Sequence, residues 1–322
     1  MKQRVTINDV ASAAGVSRQT VSRALNDKGE IDGDTKQRVL DAARELGYRP
    51  SRFARGLVRP DTTSIGLVIP DLLNPFFTEV AAAALDAARA RGWHVVIYDT
   101  ADSADEERGT LQVIGTQVDA VVGYFNLPES ELDQHTRGIP VVLIGREHHA
   151  PRFSSIRIEG AQGVRAAVDH LVAAGHHRIG MLDHAHAEPS DKHRWFCDAM
   201  TAHGLATDAV AGALQSVAGG AGALGDLLDE HPDVTAVFTF NDIIAIGALR
   251  ATRRLGRDLA VIGFDGLQLG TVVDPELTTV ALDTRRIGAL AVEQAARLLA
   301  GEQPLSGEEL VVQATLLLRE SA

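Results

Sequence analysis

Four polar side chains near the N-terminus have the spacing to share one face of a short helix. Arg18 and Ser22 are four residues apart, as are Gln19 and Arg23, so a helix would place all four side by side. Arg can donate two hydrogen bonds to guanine O6 and N7, and Gln can pair in the same bidentate way with adenine N6 and N7. This face predicts the reading of base edges in the DNA major groove, although single polar helix faces are common on solvated surfaces.

The residues around this face predict three helices within residues 6–47. Thr6 and Ser17 are typical N-cap residues for the first and second helices, and Gly15 predicts a tight turn between them. A capped helix, a Gly turn and a second helix at this spacing are typical of a helix-turn-helix, and the combination is more specific than any polar face alone. We expect the third helix to end at Gly47. The positions expected to face inward are Ile7, Val10, Ala11, Ala14, Val21, Ala24, Leu25, Val39, Ala42, Ala43 and Leu46.

Charge is divided unevenly along the 322 residues. Residues 1–60 hold 12 Lys and Arg against 7 Asp and Glu, a net charge of +5, whereas the remainder carries a net charge of −17. A basic head on an acidic body concentrates phosphate affinity at one end of the chain, although chance segregation could produce the same division. The single cysteine, Cys197, excludes an internal disulfide and is typical of a reducing cytoplasm. We expect a cytoplasmic protein, since no secretory signal and no apolar run of membrane-spanning length is present.

From Ser64 onward the pattern changes to alternating strands and alanine-rich helices, which predicts parallel sheets covered by helices. Seven or more strand-helix units exceed one comfortable sheet, so we expect an N-terminal all-α helix-turn-helix domain followed by an α/β core of two Rossmann-like lobes. The predicted strands are residues 64–69, 94–99, 120–124, 141–144, 179–182, 236–240 and 260–264. The predicted boundaries are 1–49 for the DNA-binding domain, 50–60 for a hinge helix and linker, and 61–322 for the core.

Several polar and aromatic residues lie just beyond the ends of predicted strands. Phe76 and Phe77 follow the first strand, Arg146 follows the fourth, and Asn241 and Asp265 follow two late strands. Open α/β sheets bind ligands outside the carboxyl ends of their strands, so these residues are candidates for a ligand cleft. An aromatic pair with a few polar groups suits a sugar face or a nucleobase, but the pair could equally be ordinary core.

The chain resembles the LacI/GalR family of bacterial regulators in motifs that occur in order along nearly its whole length. The matching segments are Thr6-Ile-Asn-Asp-Val-Ala, Gly15-Val-Ser17, Thr20-Val-Ser22-Arg23-Ala-Leu-Asn26, Glu45-Leu-Gly-Tyr-Arg-Pro50, Ala54-Arg55-Gly56-Leu57, Ile65-Gly-Leu-Val-Ile-Pro70, Asn74-Pro-Phe-Phe77, Asp169-His-Leu171 with Gly175-His176, Phe240-Asn-Asp242, Gly263-Phe-Asp265 and Leu277-Thr-Thr-Val280. The resemblance implies a transcription regulator with a core like the periplasmic sugar-binding proteins. It also implies a homodimer on a near-palindromic operator, with a sugar as the commoner effector and repression as the commoner output.

The resemblance assigns DNA contacts residue by residue. Arg18, Gln19 and Arg23 stand where the family reads bases, and Leu57, in the hinge with Ala54, stands where the family wedges a leucine into the minor groove. The positions where the family mostly holds phosphates are Thr6, Ser17, Thr20, Ser22 and Asn26.

The predicted hinge, Ser51–Val58, has a physical logic of its own. An isolated helix of about eight residues is marginal in water. Gly56, where the family commonly has Ser, weakens it by several tenths of a kcal/mol up to about 1 kcal/mol. We therefore expect the hinge to be disordered without DNA and to fold when two copies meet on the operator.

The resemblance also extends the set of predicted effector-binding residues, with departures. Lys192 stands where many relatives carry Arg, Glu159 where many carry Asp, and Trp195 where Gly is common. A Lys loses the bidentate fork of Arg, so the ligand geometry is expected to differ. Asp242 is expected to be a helix N-cap, and Glu159 could be one too. The predicted set is Phe76, Phe77, Arg146, Glu159, Lys192, Asn241 and Asp265.

Two other classes of protein, an enzyme and a transport protein, are alternatives to a regulator. An enzyme is disfavoured because there is no Walker A sequence or paired Gly-rich dinucleotide loop, and the 12 histidines match no zinc spacing, so we expect no cofactor and no metal. A sugar-binding transport protein would share the core, but it would carry a signal sequence and lack a basic head. The lobes are expected to comprise about 61–160 with 285–305, and about 161–284 with 306–322.

Overall fold

The computed structural model describes residues 7–25, 31–46, 63–115, 117–136, 138–146, 153–185, 188–303 and 310–322. The chain divides into two compact units, Met1–Thr63, here called the head, and Ser64–Ala322, here called the core. Predictions for Thr6, Asn26, Gly47 and the hinge residues, including Ala54 and Leu57, fall outside the described residues.

Three helices build the described part of the head: α1 (Ile7–Ala14), α2 (Arg18–Leu25) and α3 (Gly33–Glu45). Their apolar sides form one cluster in which Val10, Val21 and Val39 are fully buried, so each helix contributes a valine to a shared centre. Gly15 has φ +64°, a left-handed conformation that glycine adopts without a steric penalty, and it reverses the chain between α1 and α2.

The prediction that Leu46 packs inward is wrong. Helix α3 ends at Glu45, and Leu46 lies beyond that end with 38% of its surface exposed. A polar contact ties α3 to α1, because the Nε of Arg38 donates to the carbonyl oxygen of Ala14 at 3.1 Å.

The first lobe of the core is a six-stranded parallel sheet in the order β11-β5-β4-β3-β1-β2. Its strands are β1 (Ser64–Ile69), β2 (His94–Asp99), β3 (Ala120–Gly123), β4 (Val141–Ile144), β5 (Phe153–Glu159) and β11 (Val311–Gln313). The helices that go with it are α4 (Pro75–Arg89), α5 (Ala104–Ile114), α6 (Glu129–Thr136) and α11 (Thr284–Leu299). Central strands β3 and β4 are buried throughout, as expected for a parallel sheet covered on both faces.

The second lobe repeats the plan, with a six-stranded sheet in the order β12-β10-β9-β8-β6-β7. Its strands are β6 (Ile179–His184), β7 (Val210–Ala213), β8 (Ala236–Thr239), β9 (Ala260–Asp265), β10 (Thr278–Ala281) and β12 (Thr315–Leu317). The accompanying helices are α7 (Ala161–Ala173), α8 (Asp191–Ala202), α9 (Val217–Glu230) and α10 (Asp242–Leu255), with a 3-10 turn at Gln268–Thr271. Only β12 is antiparallel to its neighbour among these described strands.

The chain passes between the lobes three times: from β5 to α7, from β10 to α11, and from β11 to β12. The last passage corrects the predicted lobe boundary. Residues 311–313 pair with β5 of the first lobe, whereas residues 315–317 pair with β10 of the second, so the segment 306–322 does not belong to one lobe. A helical head followed by two helix-flanked, mainly parallel sheets is the fold class that the sequence predicted. In the described residues, no helix is both long and apolar enough to cross a membrane.

Candidate functional site

Helix α2 presents the predicted polar face to solvent. Arg18, Gln19 and Arg23 are exposed, whereas Val21 and Ala24 are buried against the other two helices, so the predicted helical wheel is confirmed at these positions. The fourth member of the face, Ser22, is half-buried. Arg carries five N–H donors, and Gln carries an amide that both donates and accepts hydrogen bonds. These long side chains project from a short helix, as reading of the major groove requires.

Ser17 caps the start of α2. Its Oγ accepts the backbone N–H of Thr20 at 3.1 Å and lies 2.9 Å from the Thr20 Oγ1. One of the unpaired N–H groups of the first turn is thereby satisfied, and the backbone at the N-terminal end of the helix is fixed. Both hydroxyls lie at the helix end where the dipole favours an anion such as a DNA phosphate.

The core contains a cleft of about 840 Å³ at the carboxyl ends of the strands of both sheets. This volume lies within the range typical of small-molecule sites. The first lobe contributes Phe76, Phe77, Tyr124 and Asn126, and the second contributes Lys192, Trp195, Gln215, Phe240, Asn241 and Asp265.

The first-lobe wall is an aromatic cluster. The ring centroids of Phe76 and Phe77 are 5.3 Å apart, and that of Tyr124 lies 5.1 Å from Phe77, all in edge-to-face geometry. The phenylalanines lie in the first turn of α4, where the Oδ1 of Asn74 accepts the Phe76 N–H at 3.1 Å and Pro75 occupies the first helical position. Phe76 is 6% exposed and belongs to the hydrophobic core as well as to the cleft, so both readings of this residue hold.

The second-lobe wall depends on the entry into α8. Ser190 caps that helix, and its hydroxyl donates to the buried carboxylate of Asp183 at 2.6 Å. Asp183 also accepts the backbone N–H groups of Ser190 and His184. The first turn of α8, which carries Lys192, is therefore anchored to the end of β6 by charge-assisted hydrogen bonds.

Lys192 is held in an aromatic and carbonyl cage. Its Nζ donates to the carbonyl oxygen of Phe240 at 2.7 Å and to Asp265 Oδ1 at 3.4 Å. The same nitrogen lies 4.2 Å from the ring centroid of Phe240 and 3.9 Å from that of Phe264, and the side chain is 17% exposed. Burial lowers the pKa of Lys192, and the neighbouring Asp265 partly opposes that shift.

Asp265 ends β9 in a strained conformation, with φ +121° and 5% of its surface exposed. A positive φ in a residue with a Cβ costs free energy and is common at ligand sites, where the surrounding structure fixes it. Burial raises the pKa of Asp265, and Lys192 opposes the shift. The paired carboxylate and ammonium place a hydrogen-bond acceptor beside a cation at the cleft wall.

Asn241 performs the capping role that was predicted for Asp242. Its Oδ1 accepts the N–H of Ile244 at 2.9 Å, which makes Asn241 the N-cap of α10, and its Nδ2 donates to Gln215 at 3.0 Å. The prediction for Asp242 is therefore wrong by one residue. Both Asn and Asp are strong N-cap types, and the sequence offers them side by side.

Asp242 instead supports the floor of the second lobe. Its completely buried carboxylate accepts the N–H of Leu267 at 2.7 Å and the hydroxyl of Thr279 at 2.6 Å. Burial raises the pKa of Asp242 to about 7. A Cβ at position 263 would collide with this carboxylate, which explains the glycine in the Gly263-Phe-Asp265 segment.

Arg146 and Glu159 do not line the cleft in the described structure. The Nη1 of Arg146 donates to the carbonyl oxygens of Phe125 at 3.1 Å and Leu127 at 2.7 Å, so it organises the loop after β3. A carboxylate oxygen of Glu159 accepts the N–H of Ala161 at 3.0 Å, next to the start of α7. The other five predicted effector residues are brought together at the cleft.

Sequence reasoning missed Tyr124 and Phe240 as site residues. The predicted strands end at these two residues, but β3 ends at Gly123 and β8 at Thr239, so each is the first residue beyond a strand. The same rule that selected Arg146 would have selected them had the strand ends been placed correctly. The ring of Trp195 lies over Gly160, in the first passage between the lobes, where a Cβ would collide with it.

A solvent-facing Arg and Gln helix face, together with a two-lobed core that holds an aromatic and polar cleft, defines a ligand-responsive DNA-binding transcription regulator. Residues 6–51 match the family of bacterial regulatory proteins, lacI family, and residues 168–322 match the periplasmic binding protein-like domain. The ribose operon repressor of Halalkalibacterium halodurans is 32% identical, over 98% of this chain and 96% of its own length.

Comparison with solved structures leads to the same family. A LacI family transcriptional regulator from Arthrobacter sp. FB24 in complex with lactose is 30% identical, with a TM-score of 0.73 over 81% of this chain and 99% of that chain. The lac repressor dimer bound to operator and the anti-inducer ONPF is 26% identical, with a TM-score of 0.72 over 99% of both chains. The chain belongs to the LacI family of bacterial transcription regulators, whose members are DNA-binding proteins and not enzymes.

Proposed function

We propose that this regulator represses carbohydrate-utilisation genes as a homodimer on a near-palindromic operator, with its DNA affinity set by a sugar bound in the cleft. The observation that carries the proposal is that one chain holds both an exposed Arg and Gln face on α2 and a formed cleft between two lobes. Support comes from a relative named as a ribose operon repressor, from one similar structure that holds lactose, and from another that is a dimer on operator DNA.

On the DNA side, Arg18, Gln19 and Arg23 read base edges from the major groove. Two copies related by a two-fold axis would place two α2 helices in successive major grooves, which matches a palindromic sequence. Phosphate contacts come from Thr6, Ser17, Thr20, Ser22 and Asn26, and minor-groove contacts from Ala54 and Leu57. Phosphate contacts fix the register of the head, and base contacts supply the sequence preference.

On the ligand side, a sugar packs its apolar face on Phe76 and Phe77 and its hydroxyls on Asn241, Asp265 and the Lys192 cage. Arg146 and Glu159 act on neighbouring backbone instead of on the sugar. The two lobes are joined by three passages of chain. A ligand that contacts both walls of the cleft favours the relative orientation of the lobes in which it makes both sets of contacts. DNA affinity then changes only by the ratio of the ligand's affinities for the two orientations.

The experiment is selection of duplexes by the full chain from a random library, followed by fluorescence anisotropy on the selected duplex with and without a panel of sugars. We expect a near-palindromic consensus and at least one sugar that changes the dissociation constant. Recovery of duplexes without any shared sequence, or an affinity that no sugar alters, refutes the proposal.

A further inference from the structure

Tyr124 carries a polar atom that the cleft leaves unsatisfied. Its hydroxyl is buried and has no hydrogen-bond partner within the described structure. Buried polar groups in native proteins almost always have a hydrogen-bond partner, because a buried group without one loses its bonds to water and gains none in the protein. Tyr124 also lines the cleft, which makes a molecule bound there the candidate for the missing partner.

The surroundings of Tyr124 make its hydroxyl a fixed donor. Its ring packs edge-to-face on Phe77 at 5.1 Å and on Phe76 at 6.1 Å between centroids, which holds its direction. Burial and the negative charge of Asp265 both raise the pKa of Tyr124, so the hydroxyl keeps its proton at neutral pH. A protonated phenol on a residue of the cleft wall suits an acceptor oxygen on a ligand.

The charge of the cleft restricts what that ligand is. Among the described residues that line it, the one Lys or Arg is Lys192, and its ammonium is already engaged by Asp265, the Phe240 carbonyl and two aromatic rings. Burial lowers the pKa of Lys192, which further weakens it as an anchor for an anion. The acidic lining residues are Asp71, Asp102, Glu188, Asp191 and Asp265.

We propose that the cleft takes an uncharged polyhydroxyl ligand, that Tyr124 donates a hydrogen bond to one of its oxygens, and that phosphorylated or carboxylated sugars are rejected. The inference rests on the proposed function, because it treats the cleft as the effector site. Rejection follows because a phosphate would enter an excess of carboxylates without a free cation among the described lining residues.

The ligand class is tested by calorimetric titration of the full chain with matched pairs: ribose and ribose 5-phosphate, glucose and glucose 6-phosphate, galactose and galactose 1-phosphate. We expect the tightest binder to be uncharged and its phosphorylated counterpart to bind at least about tenfold more weakly. A phosphorylated sugar that binds equally or more tightly overturns the inference, as does a panel in which no uncharged sugar binds.

The role of Tyr124 is tested with Tyr124→Phe, titrated with the tightest uncharged sugar. We expect about a tenfold loss of affinity with a melting temperature equal to or above that of the wild type, because the variant removes an unsatisfied hydroxyl. The matched control is Tyr98→Phe, whose hydroxyl bonds Gln117 at 2.8 Å outside the cleft and whose loss leaves sugar affinity unchanged.

Unchanged sugar affinity in Tyr124→Phe means that the hydroxyl is satisfied by water, and it overturns that part of the inference. The two proposals fail separately. If the tightest binder is a phosphorylated sugar that changes operator affinity, the proposed function stands and this inference fails. If an uncharged sugar binds through Tyr124 but leaves operator affinity unchanged, this inference stands and the proposed function fails.

Discussion

At the residue scale, a Lys rather than an Arg at position 192 determines what the cleft wall offers. A guanidinium would present a planar fork to two oxygens, whereas the ammonium is a point charge that fits between the rings of Phe240 and Phe264. Its remaining contacts go to the Phe240 carbonyl and to Asp265. The main role of Lys192 is therefore to orient Asp265 and to neutralise its charge, and direct binding of a ligand is secondary.

Arg18→Ala tests the base-reading face. We expect a loss of about 1–3 kcal/mol on the selected operator and a relaxed preference at one base pair, because one bidentate contact disappears. Anisotropy on the operator and on single-base variants measures both effects. Arg89→Ala, which removes another exposed Arg, this time from the core, is the control for lost charge. Equal losses on operator and random duplex would contradict a base contact.

The pH dependence of stability tests the buried carboxylates. Burial raises the pKa of Asp242 to about 7 and also raises that of Asp265, so between about pH 4 and pH 7 the folded chain binds more protons than the unfolded chain. Their contribution to the free energy of unfolding therefore falls as the pH rises through this window.

Asp242→Asn removes one of these two groups. Urea unfolding at pH 5 and pH 7 is expected to show a smaller decrease for this variant than for the wild type. Asp229→Asn, at an exposed acid of α9, serves as the control and keeps the wild-type decrease. A decrease in Asp242→Asn equal to that of the wild type would show that Asp242 ionises normally in the folded chain.

At the element scale, the close approach of α10 to β9 depends on the absence of a side chain at Gly263. Gly263→Ala would force the Asp242 carboxylate away from Leu267 and Thr279, and we expect a loss of about 1–3 kcal/mol in the free energy of unfolding, as for other overpacked sites. Gly109→Ala in α5, where nothing lies within 4 Å, should instead stabilise the chain by up to about 1 kcal/mol. Urea denaturation of both variants decides, and a stable Gly263→Ala would show that α10 can shift freely.

The elements that sequence reasoning found are those with strong local patterns. All seven predicted strands exist with ends within two residues, because runs such as Val141–Ile144 are bulky, apolar and bounded by turn residues. Strand β7, Val210–Ala213, escaped because half of it is alanine and none of it is aromatic. Strands β11 and β12 are separated by Ala314 alone yet join different sheets, which only long-range pairing decides.

The candidate site was predictable where position at or beyond a strand end is enough, as for Asp265, Phe76 and Phe77. It was not predictable where the outcome depends on which backbone group a side chain meets. Arg146 follows a strand as required, but two carbonyl oxygens of the neighbouring loop bind its guanidinium. Tyr124 required a strand end placed correctly to one residue.

At the scale of the whole molecule, function divides along the chain as charge does. The head is basic overall and the remainder strongly acidic, so attraction to DNA is concentrated in the part that carries α2. The core offers the means of control, since its two lobes meet at a cleft and are joined by three passages of chain. The account therefore requires that occupancy of the cleft and affinity for the operator are thermodynamically linked.

The direct test of that linkage is a reciprocal titration. The dissociation constant of the full chain for its selected operator is measured with and without the tightest sugar, and that for the sugar with and without the operator. Linkage requires both constants to change by the same factor, and we expect about 5–150-fold. Asp265→Asn should reduce the sugar's effect on operator affinity at a fixed sugar concentration, while Asp229→Asn should not. Two constants that stay the same whether or not the other partner is bound would contradict the account.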